Sequence, residues 1–257
     1  MVMTSSKLKQ PDLTIVIPAY REERRIGRTL DELATFLQHD DFFSHKEVEV
    51  IVVAANTPDR THEVVATKQK LFKRFTLLKP GSHAGKGRDV KAGMLKAQGR
   101  AVLFMDADLA TPLHHIEEFY KQCELGTDIV IATRGIRRHS GNKQRVLLSA
   151  VGNVLFRLAG GVWLEDSQCG FKMFSASAAQ LCFEKLKIMG WGFDMEILTT
   201  AKANHLPIKP IRVDDWRAVP YGTFEDSITM NSFHALSDLQ SIFFRRLSGY
   251  YKNSDKK

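Results

Sequence analysis

Two aspartates separated by one alanine directly follow an apolar run in the middle of the chain. The run Ala101–Met105 is short and continuously apolar, which is typical of a strand buried in a parallel sheet. Asp106 and Asp108 lie at the carboxyl end of this strand, where open α/β sheets bind ligands. Paired carboxylates are ligands for Mg²⁺ or Mn²⁺, commonly beside a substrate phosphate. The alternative is that Asp108 or Thr111 begins a helix at Pro112.

Hydrophobic periodicity predicts the elements that position this pair. The first two thirds of the chain alternate short apolar runs with amphipathic stretches, which indicates a parallel sheet with crossover helices. The predicted strands are Leu13–Ile17, Val48–Ala54, Phe75–Leu78, the run that leads to Asp106, and Asp128–Ala132. The predicted helices are Arg25–Gln38, Arg88–Ala97, which follows a flexible loop at Gly81–Gly87, and Pro112–Glu124.

The pattern is less regular after Thr133. A basic loop is expected at Arg134–Arg145. The further predicted elements are a helix at Val146–Leu158, a strand at Phe171–Ser175, a helix at Phe193–Ala203, a strand at Ile208–Val213 and an amphipathic helix at Ser232–Tyr251. The fold class is therefore α/β, with a mostly parallel central sheet flanked by helices. We expect a single domain over residues 1–257, with a flexible N-terminus at 1–11.

The composition indicates the kind of partner. The 37 Lys and Arg residues against 29 Asp and Glu residues give a formal net charge of +8, which favours an anionic ligand or surface. The basic residues are scattered and form no RNA-binding signature, so we expect no nucleic acid partner. The three cysteines are too dispersed for a disulfide framework, which favours a reduced, cytoplasmic setting.

No segment has the composition of a secretory signal or of a transmembrane span. Residues 1–11 are polar and basic. The most apolar stretch, Val146–Leu164, is interrupted by Asn153 and Arg157. The sequence therefore predicts a protein that lies on a membrane, if it contacts one, rather than crossing it.

The C-terminal helix, 232–251, is the candidate for peripheral membrane contact. Its apolar stripe consists of Phe233, Leu236, Phe243, Leu247 and Tyr250, widened by Leu239 and Ile242. Arg245, Arg246 and Lys252 add positive charge, a composition typical of interfacial helices. The alternative is that the helix covers the protein's own sheet or forms a homodimer contact.

Four motifs occur in the order typical of one enzyme family. They are IPAYREE at Ile17–Glu23, GKG at Gly85–Gly87, MDADLATP from Met105 and DSQCGFKMF at Asp166–Phe174. With WGFDME at Trp191–Glu196, they resemble family 2 glycosyltransferases, most closely the branch of dolichyl-phosphate β-glucosyltransferases and bacterial polyprenyl-phosphate glycosyltransferases. The similarity covers Leu13 to Trp216. It implies a GT-A fold, a nucleotide-sugar donor, a divalent metal and inversion at the sugar carbon.

The resemblance assigns the nucleotide-sugar donor to the half of the chain at 13–133. The implied donor-binding residues are Pro18, Tyr20, Glu22, Lys86, Asp106, Ala107, Asp108 and Arg134. Asp106 and Asp108 would hold Mg²⁺ or Mn²⁺, with Asp108 the more direct ligand. Lys86, between two glycines, can offer its ammonium and loop N–H groups to phosphate oxygens. The alternative is that Lys86 is an ordinary solvated loop residue.

The acceptor-side half is expected at 134–225. The implied acceptor-side residues are Asp166, Gln168, Asp194 and Glu196. For a hydroxyl acceptor Asp166 would act as general base, whereas a lipid phosphate is already mostly ionised; Glu165 competes for the role, and a turn cap is the alternative. Asp194 and Glu196 share a face on a strand and diverge on a helix. We expect one of them to bind sugar hydroxyls or to orient Arg134 or Arg217.

Three other side chains are of types that can act as a nucleophile or as metal ligands. Cys169 has no evident partner base and is interpreted as a packed residue. His114 and His115 have no evident third metal ligand in the sequence, so a helix start or a surface position explains them better.

One segment departs from the family pattern. Where the family carries Asp-Asp-Gly-Ser after the second strand, this chain has Ala54-Ala55-Asn56-Thr57, although Asp59 and Thr61 keep the downstream spacing. Loss of the acids predicts weak or shifted selectivity for the nucleotide base.

The function that the resemblance implies is inverting transfer of a hexose from a nucleotide sugar to a polyprenyl phosphate. The alternatives are transfer to a soluble or glycan hydroxyl acceptor, and a degenerate sugar-nucleotide-binding module.

Overall fold

The computed structural model describes residues 9–82, 85–134, 154–164, 166–190, 192–217 and 228–253, without the side chains of 228–235. The strands are β1 (Leu13–Pro18), β2 (Val48–Val53), β3 (Arg74–Leu78), β4 (Ala101–Met105), β5 (Ile129–Thr133), β6 (Phe171–Ser175) and β7 (Ile208–Arg212). The helices are α1 (Ile26–His39), α2 (Thr61–Lys68), α3 (Lys86–Lys96), α4 (His115–Glu124), α5 (154–160), α6 (Ala176–Lys185), α7 (Phe193–Ala203) and α8 (Ile228–Leu247).

The described strands form one seven-stranded sheet in the order β3-β2-β1-β4-β6-β5-β7. β6 is antiparallel to both of its neighbours, and the other pairs are parallel. Met105, the last residue of β4, pairs with Phe171, the first residue of β6. This antiparallel insertion brings the segment before β6 to the edge where the Asp-Ala-Asp segment follows β4.

Helices cover both faces of the sheet, because the buried strands are apolar on both sides. On one face α1 and α4 pack through residues such as Leu30 and Phe119. On the other face α3, α6 and α7 pack through Val90, Phe183 and Ile197. The sheet is thereby a rigid support for the loops at its carboxyl edge.

The predicted strands are confirmed, and so is the mostly parallel sheet. Two helices, α2 and α6, were not anticipated; the signal for α6 was Ser175, whose side chain accepts a hydrogen bond from the Ala178 N–H at 3.2 Å. Helix α3 begins at Lys86, inside the expected flexible loop. Helix α4 begins at His115 rather than at Pro112.

Several expectations lie wholly or partly outside the described residues. The loop 135–145, the first part of the predicted helix Val146–Leu158, Glu165 and Trp191 belong to this group, and the described part of that helix is α5. Among the helices that the structure describes, none combines the length and the apolar character needed to span a bilayer.

Candidate active site

A tight turn holds the two aspartates at the carboxyl end of β4. Leu109 adopts a left-handed backbone with φ of 54°. The Asp108 Oδ1 accepts a hydrogen bond from the Ala110 N–H at 3.0 Å. The buried Ala107 offers its carbonyl to the Thr29 hydroxyl, which donates at 2.6 Å. Asp108 therefore closes a turn rather than starting α4, which begins seven residues later in the chain.

Gly170, directly before β6, is in contact with Asp106. The Asp106 N–H donates to the Gly170 carbonyl at 2.9 Å. A Cβ atom built on Gly170 would overlap the Asp106 carboxylate. A glycine is required here because the carboxylate lies where any side chain would begin.

We expect Gly170→Ala to displace the Asp106 carboxylate and to lower turnover about 100-fold, since a misplacement of about 1 Å can have that effect. The matched control is Gly190→Ala, because a methyl group there meets nothing within 4 Å. Steady-state kinetics and thermal unfolding check the result. Equal activity of both variants would contradict the required close approach.

Lys86 is the first residue of α3 and pairs with the first aspartate. Its Nζ lies 2.6 Å from the Asp106 Oδ1. Burial opposes protonation, but the carboxylates of Asp106, Asp194 and Asp108 raise the pKa of Lys86, so the ammonium stays charged at neutral pH. Lys86 is thus no solvated loop lysine.

The glycines on either side of Lys86 allow close packing. A Cβ on Gly85 would overlap the carbonyl oxygen of Met189, and one on Gly87 would lie 2.6 Å from the Phe193 Cβ. Gly85 also has a φ of 109°, which favours glycine. The GKG motif therefore fastens the start of α3 to the segment before α7, instead of forming a flexible loop.

A second, buried ion pair lies close to Lys86. The Lys172 side chain on β6 has no exposed surface, and its Nζ donates to the Asp194 Oδ1 at 2.6 Å and to the Cys169 carbonyl at 2.5 Å. Burial raises the pKa of Asp194 despite the attraction of Lys172 and Lys86. Asp194 is 5% exposed, so it supports the site from within the protein.

The structure does not bring Glu196 to the site. Of the WGFDME motif, Phe193–Glu196 form the first turn of α7, where Asp194 and Glu196 diverge as expected of a helix. Glu196 is fully buried, and its carboxylate accepts from Arg245 at 2.8 Å, from the Tyr251 hydroxyl at 2.8 Å and from the Ile188 N–H at 2.6 Å. Glu196 therefore anchors α8 and orients Arg245, instead of Arg134 or Arg217.

Asp166 and Arg134 meet beside the two aspartates. The Arg134 Nε and Nη2 donate to the two Asp166 oxygens at 2.6 and 2.9 Å. Burial lowers the pKa of the Arg134 guanidinium, but the Asp166 carboxylate raises it by more, so the pKa lies above its ordinary value. The guanidinium lies 5.4 Å from the ring centroid of Trp216. This geometry presents a fixed planar cation.

A cavity of about 90 Å³ lies between these groups. Its lining joins the turn after β4, the segment before β6 and the residues after β7. It is lined by Met105, Asp106, Asp108, Leu109, Ala110, Thr111, Arg134, Gln168, Cys169, Gly170, Phe171 and Trp216. The cavity therefore has two carboxylates and one guanidinium in its wall, and Gln168 at its exposed side.

The end of β1 and the loop that follows it contain Pro18, Tyr20 and Glu22. Burial raises the pKa of Glu22; the ion pair with Arg25 opposes this, and the carboxylates of Asp108 and Asp106 add to it. Glu22 is thus electrostatically coupled to the aspartate pair. Pro18 ends β1, and Tyr20 is half-buried.

Asp59 holds this loop in place. Its Oδ1 accepts from the hydroxyls of Thr57 and Thr61 at 2.6 and 2.7 Å, and its Oδ2 accepts from the Glu23 N–H at 3.2 Å. The Thr61 hydroxyl in turn accepts from the Glu22 N–H at 2.9 Å. Asp59 and Thr61, whose spacing is retained, therefore hold the backbone of the loop after β1.

The first two residues of the segment that departs from the family pattern lie in the core. Ala54 and Ala55 have no exposed surface, and His62 is hydrogen-bonded to the Ala54 carbonyl at 2.9 Å. Asn56 is exposed and bridges to Ser82. Restoring an aspartate at position 55 would bury a charge. Selectivity for the nucleotide base is therefore better tested by substituting the exposed Asn56.

Four residues of the site had no role predicted from the sequence, namely Trp216, Gly170, Lys172 and Thr29. Lys172 had a readable signal, because a lysine inside the apolar run FKMF requires a buried counter-charge. Gly170 and Thr29 act through contacts with residues far along the chain, which leave no local pattern.

Comparison with known proteins places these features in a family. The Glycosyl transferase family 2 profile matches residues 14–182. A dolichyl-phosphate beta-glucosyltransferase of Trichomonas vaginalis is 31% identical over 80% of this chain and 64% of its own length. One of Drosophila melanogaster is 34% identical over 79% of this chain and 66% of its own length. The chain thus spans slightly less than two thirds of these relatives.

Solved structures agree at the level of the fold. Glucosyl-3-phosphoglycerate synthase from Mycobacterium tuberculosis, in complex with Mg²⁺ and UDP, matches with a TM-score of 0.64 and 20% identity over 91% of this chain and 80% of that chain. Its complex with Mn²⁺ and UDP-glucose matches with a TM-score of 0.57 and 16% identity, over 95% and 81% of the two chains. The fold is GT-A, and the chain belongs to glycosyl transferase family 2.

Proposed function

We propose that this chain transfers a hexose from a nucleotide sugar to a polyprenyl, dolichyl-type phosphate, with inversion at the sugar carbon. One observation carries the proposal: the Asp106 and Asp108 carboxylates and the Arg134 guanidinium line the same cavity. The carboxylates suit the donor side and the guanidinium suits an anionic acceptor. The names of the relatives support this acceptor, and UDP in the related solved structures supports a nucleotide donor.

The donor set of Asp106 and Asp108 fits Mg²⁺ or Mn²⁺, because both side chains offer hard oxygen atoms. Glu22 adds a third carboxylate to the field, and Lys86 balances Asp106. A divalent cation held there would neutralise charge that develops on the leaving diphosphate. The metal complexes of the related structures support both ions.

Lys86 and the start of α3 supply the positive side of the donor site. The ammonium is held beside Asp106, at the N-terminal end of an 11-residue helix, where the helix dipole favours an anion. In the reaction the acceptor phosphate oxygen bonds to the anomeric carbon while the bond from that carbon to the diphosphate breaks. The nucleoside diphosphate leaves with the bonding electrons.

Arg134 is the proposed acceptor-phosphate ligand. Asp166 binds the Nε and Nη2 side of the guanidinium and Trp216 lies beside it, so the orientation is fixed and the other N–H donors of the planar group would bind the phosphate. Since a phosphate monoester is already ionised at neutral pH, the reaction needs no general base. Asp166 then acts as a positioning residue for Arg134.

A donor and acceptor panel tests the proposal. Protein is incubated with uridine and guanosine diphosphate sugars, with a polyprenyl phosphate or the corresponding polyprenol, and with Mg²⁺, Mn²⁺ or chelator. We expect transfer to the phosphate only, and only with a divalent cation. A donor at 100 times its Kd should also add about 2.7 kcal/mol to the free energy of unfolding. Transfer to the polyprenol, or full activity in chelator, would contradict the proposal.

A lipid acceptor requires access to a membrane surface, and α8 offers an apolar face for it. Leu239 and Ile242 are buried against the protein, as the alternative expectation held for part of this helix. Other apolar side chains of α8 are exposed, namely Leu236, Phe243, Phe244 and Leu247. Helix α8 ends at Leu247, so Tyr250, expected on the apolar stripe of the helix, lies beyond its end, where its hydroxyl donates to the Lys185 carbonyl at 3.1 Å.

The two arginines near the end of α8 make contacts within the protein, and one of them is neutralised by a carboxylate. Arg245 is paired with Glu196, and the Arg246 Nη1 donates to the carbonyls of Leu158 and Ala159 at 3.2 Å. Leu158, on α5, is 62% exposed and thus extends the apolar surface. We propose that this surface, α8 with the adjoining end of α5, contacts the bilayer through apolar burial more than through charge.

We expect the protein to float with liposomes and Phe244→Glu/Leu247→Glu to remain in the soluble fraction, because two charges in the acyl boundary are unfavourable. Leu125→Glu is the matched control, since Leu125 is 79% exposed on another helix end. Flotation and size-exclusion chromatography are measured together. No flotation of the unmodified protein, or a dimer that the double substitution dissociates, would contradict membrane contact.

A further inference from the structure

Two adjacent histidines and one distant aspartate meet beside the active-site cavity. The His115 Nε2 lies 2.7 Å from the Asp215 Oδ1, and the His114 Nε2 lies 3.3 Å from the Asp215 Oδ2. One ligand atom from each residue lies within 4.8 Å of the other two. The sequence showed no third ligand for the histidines, because Asp215 is 100 residues away from His115.

The donor set differs from that of the Asp106 and Asp108 pair. Two imidazoles and one carboxylate suit Zn²⁺ and related transition ions, whereas Mg²⁺ prefers oxygen ligands. Zinc ligands about 2.0–2.2 Å from the ion have donor atoms roughly 3–4 Å apart, so small side-chain rotations suffice. The His115 Nδ1 is 4.0 Å from Glu118, which can orient the ring from the next helical turn.

The position of the cluster connects it with the active site. Asp215 directly precedes Trp216, which lines the cavity and lies beside Arg134. The Arg217 N–H donates to the Ala110 carbonyl, in the turn after β4, at 2.8 Å. His114 and His115 mark the start of α4, which follows the same turn. An ion shared by the three side chains would join the segment after β7 to this turn.

We propose that His114, His115 and Asp215 bind a transition-metal ion of the Zn²⁺ class, separate from the ion of the Asp106 and Asp108 site. The ion fastens the segment that contains Trp216 to the start of α4. His115 is the anchoring ligand, because its side chain is only 14% exposed, and His114 is 62% exposed and completes the site.

Isothermal titration of the metal-free protein with Zn²⁺, without nucleotide, tests this assignment. We expect one equivalent to bind, and binding to weaken about tenfold or more in Asp215→Asn, since even loss of an outer-shell partner has that effect. Asp215→Asn is isosteric and can keep a hydrogen bond to His115. His115→Ala should behave in the same way, and His45→Ala, at an exposed histidine, should bind as the unmodified protein does. Co²⁺ absorption reports the ligand set independently of activity.

Asp108→Asn separates the two sites. We expect it to leave Zn²⁺ binding unchanged while abolishing the Mn²⁺-dependent binding of a nucleotide diphosphate. We expect Asp215→Asn to weaken Zn²⁺ binding about tenfold or more while leaving the Mn²⁺-dependent binding of the nucleotide diphosphate unchanged. Zn²⁺ binding that is lost in Asp108→Asn would overturn the proposal, as would binding that persists in both Asp215→Asn and His115→Ala. Absence of Zn²⁺ binding by the unmodified protein would reduce the cluster to a hydrogen-bonded loop contact and would also overturn it.

Discussion

Asp108→Asn is expected to lower kcat/KM about 100- to 1,000-fold, the effect of removing one electrostatic contact to the leaving group. The substitution removes the charge that suits the metal. It keeps an oxygen that can accept the hydrogen bond from the Ala110 N–H, so the turn after β4 should persist. Initial rates across a Mn²⁺ series measure the loss, and thermal unfolding confirms an unchanged fold.

The matched control for this variant is Asp41→Asn, at an exposed aspartate far along the chain from the site. It should retain full activity. If Asp108→Asn transferred sugar at the unmodified rate, the metal would have to be held elsewhere. If saturating Mn²⁺ restored the rate, Asp108 would contribute to metal affinity alone.

Lys172→Met is expected to lower the free energy of unfolding by about 3–5 kcal/mol, because it leaves the Asp194 carboxylate buried without its partner. The Lys172 Nζ lies 2.6 Å from the Asp194 Oδ1, and neither side chain is more than 7% exposed. Lys70→Met, at an exposed lysine, is the control and should change stability little. Urea unfolding at constant m-value measures the difference.

The double variant Lys172→Met/Asp194→Leu distinguishes pair loss from cavity formation. We expect it to recover most of the stability lost in Lys172→Met, because an apolar pair of similar volume is often neutral or stabilising. No recovery would show that packing, rather than the uncompensated charge, caused the loss.

The stability of Lys172→Met should also depend on pH. Burial already raises the pKa of Asp194 in the folded protein, so the folded state binds this proton more tightly than the unfolded chain does. The contribution of Asp194 to the free energy of unfolding therefore falls as the pH rises above its pKa in the unfolded chain. It stops falling once the pH exceeds its pKa in the folded protein. Without Lys172 the raised pKa lies higher still, so the deficit should be larger at pH 8 than at pH 5. A deficit independent of pH would contradict this account.

The sequence by itself determined the strands and the edge of the sheet at which chemistry is expected, but not all of the helices. Continuous apolar runs identified central strands such as β4 and β5, because both faces of this sheet are covered by helices. The same logic placed Asp106 and Asp108 at the end of β4, since polar residues that close a buried strand must reach the surface of the sheet. The motifs and their order along the chain can be read directly from the sequence, so they identified the family without the structure.

Only the tertiary structure decided how the charged groups are paired. The antiparallel β6, inserted between β4 and β5, places Gly170 against Asp106 and Lys172 within reach of Asp194. The packing of α8 gives Glu196 a partner 49 residues away in Arg245, a pairing without any local periodicity. Ion pairs of this kind form to neutralise buried charge. Partners are therefore chosen by proximity in the folded core, which hydrophobic patterning along the chain does not specify.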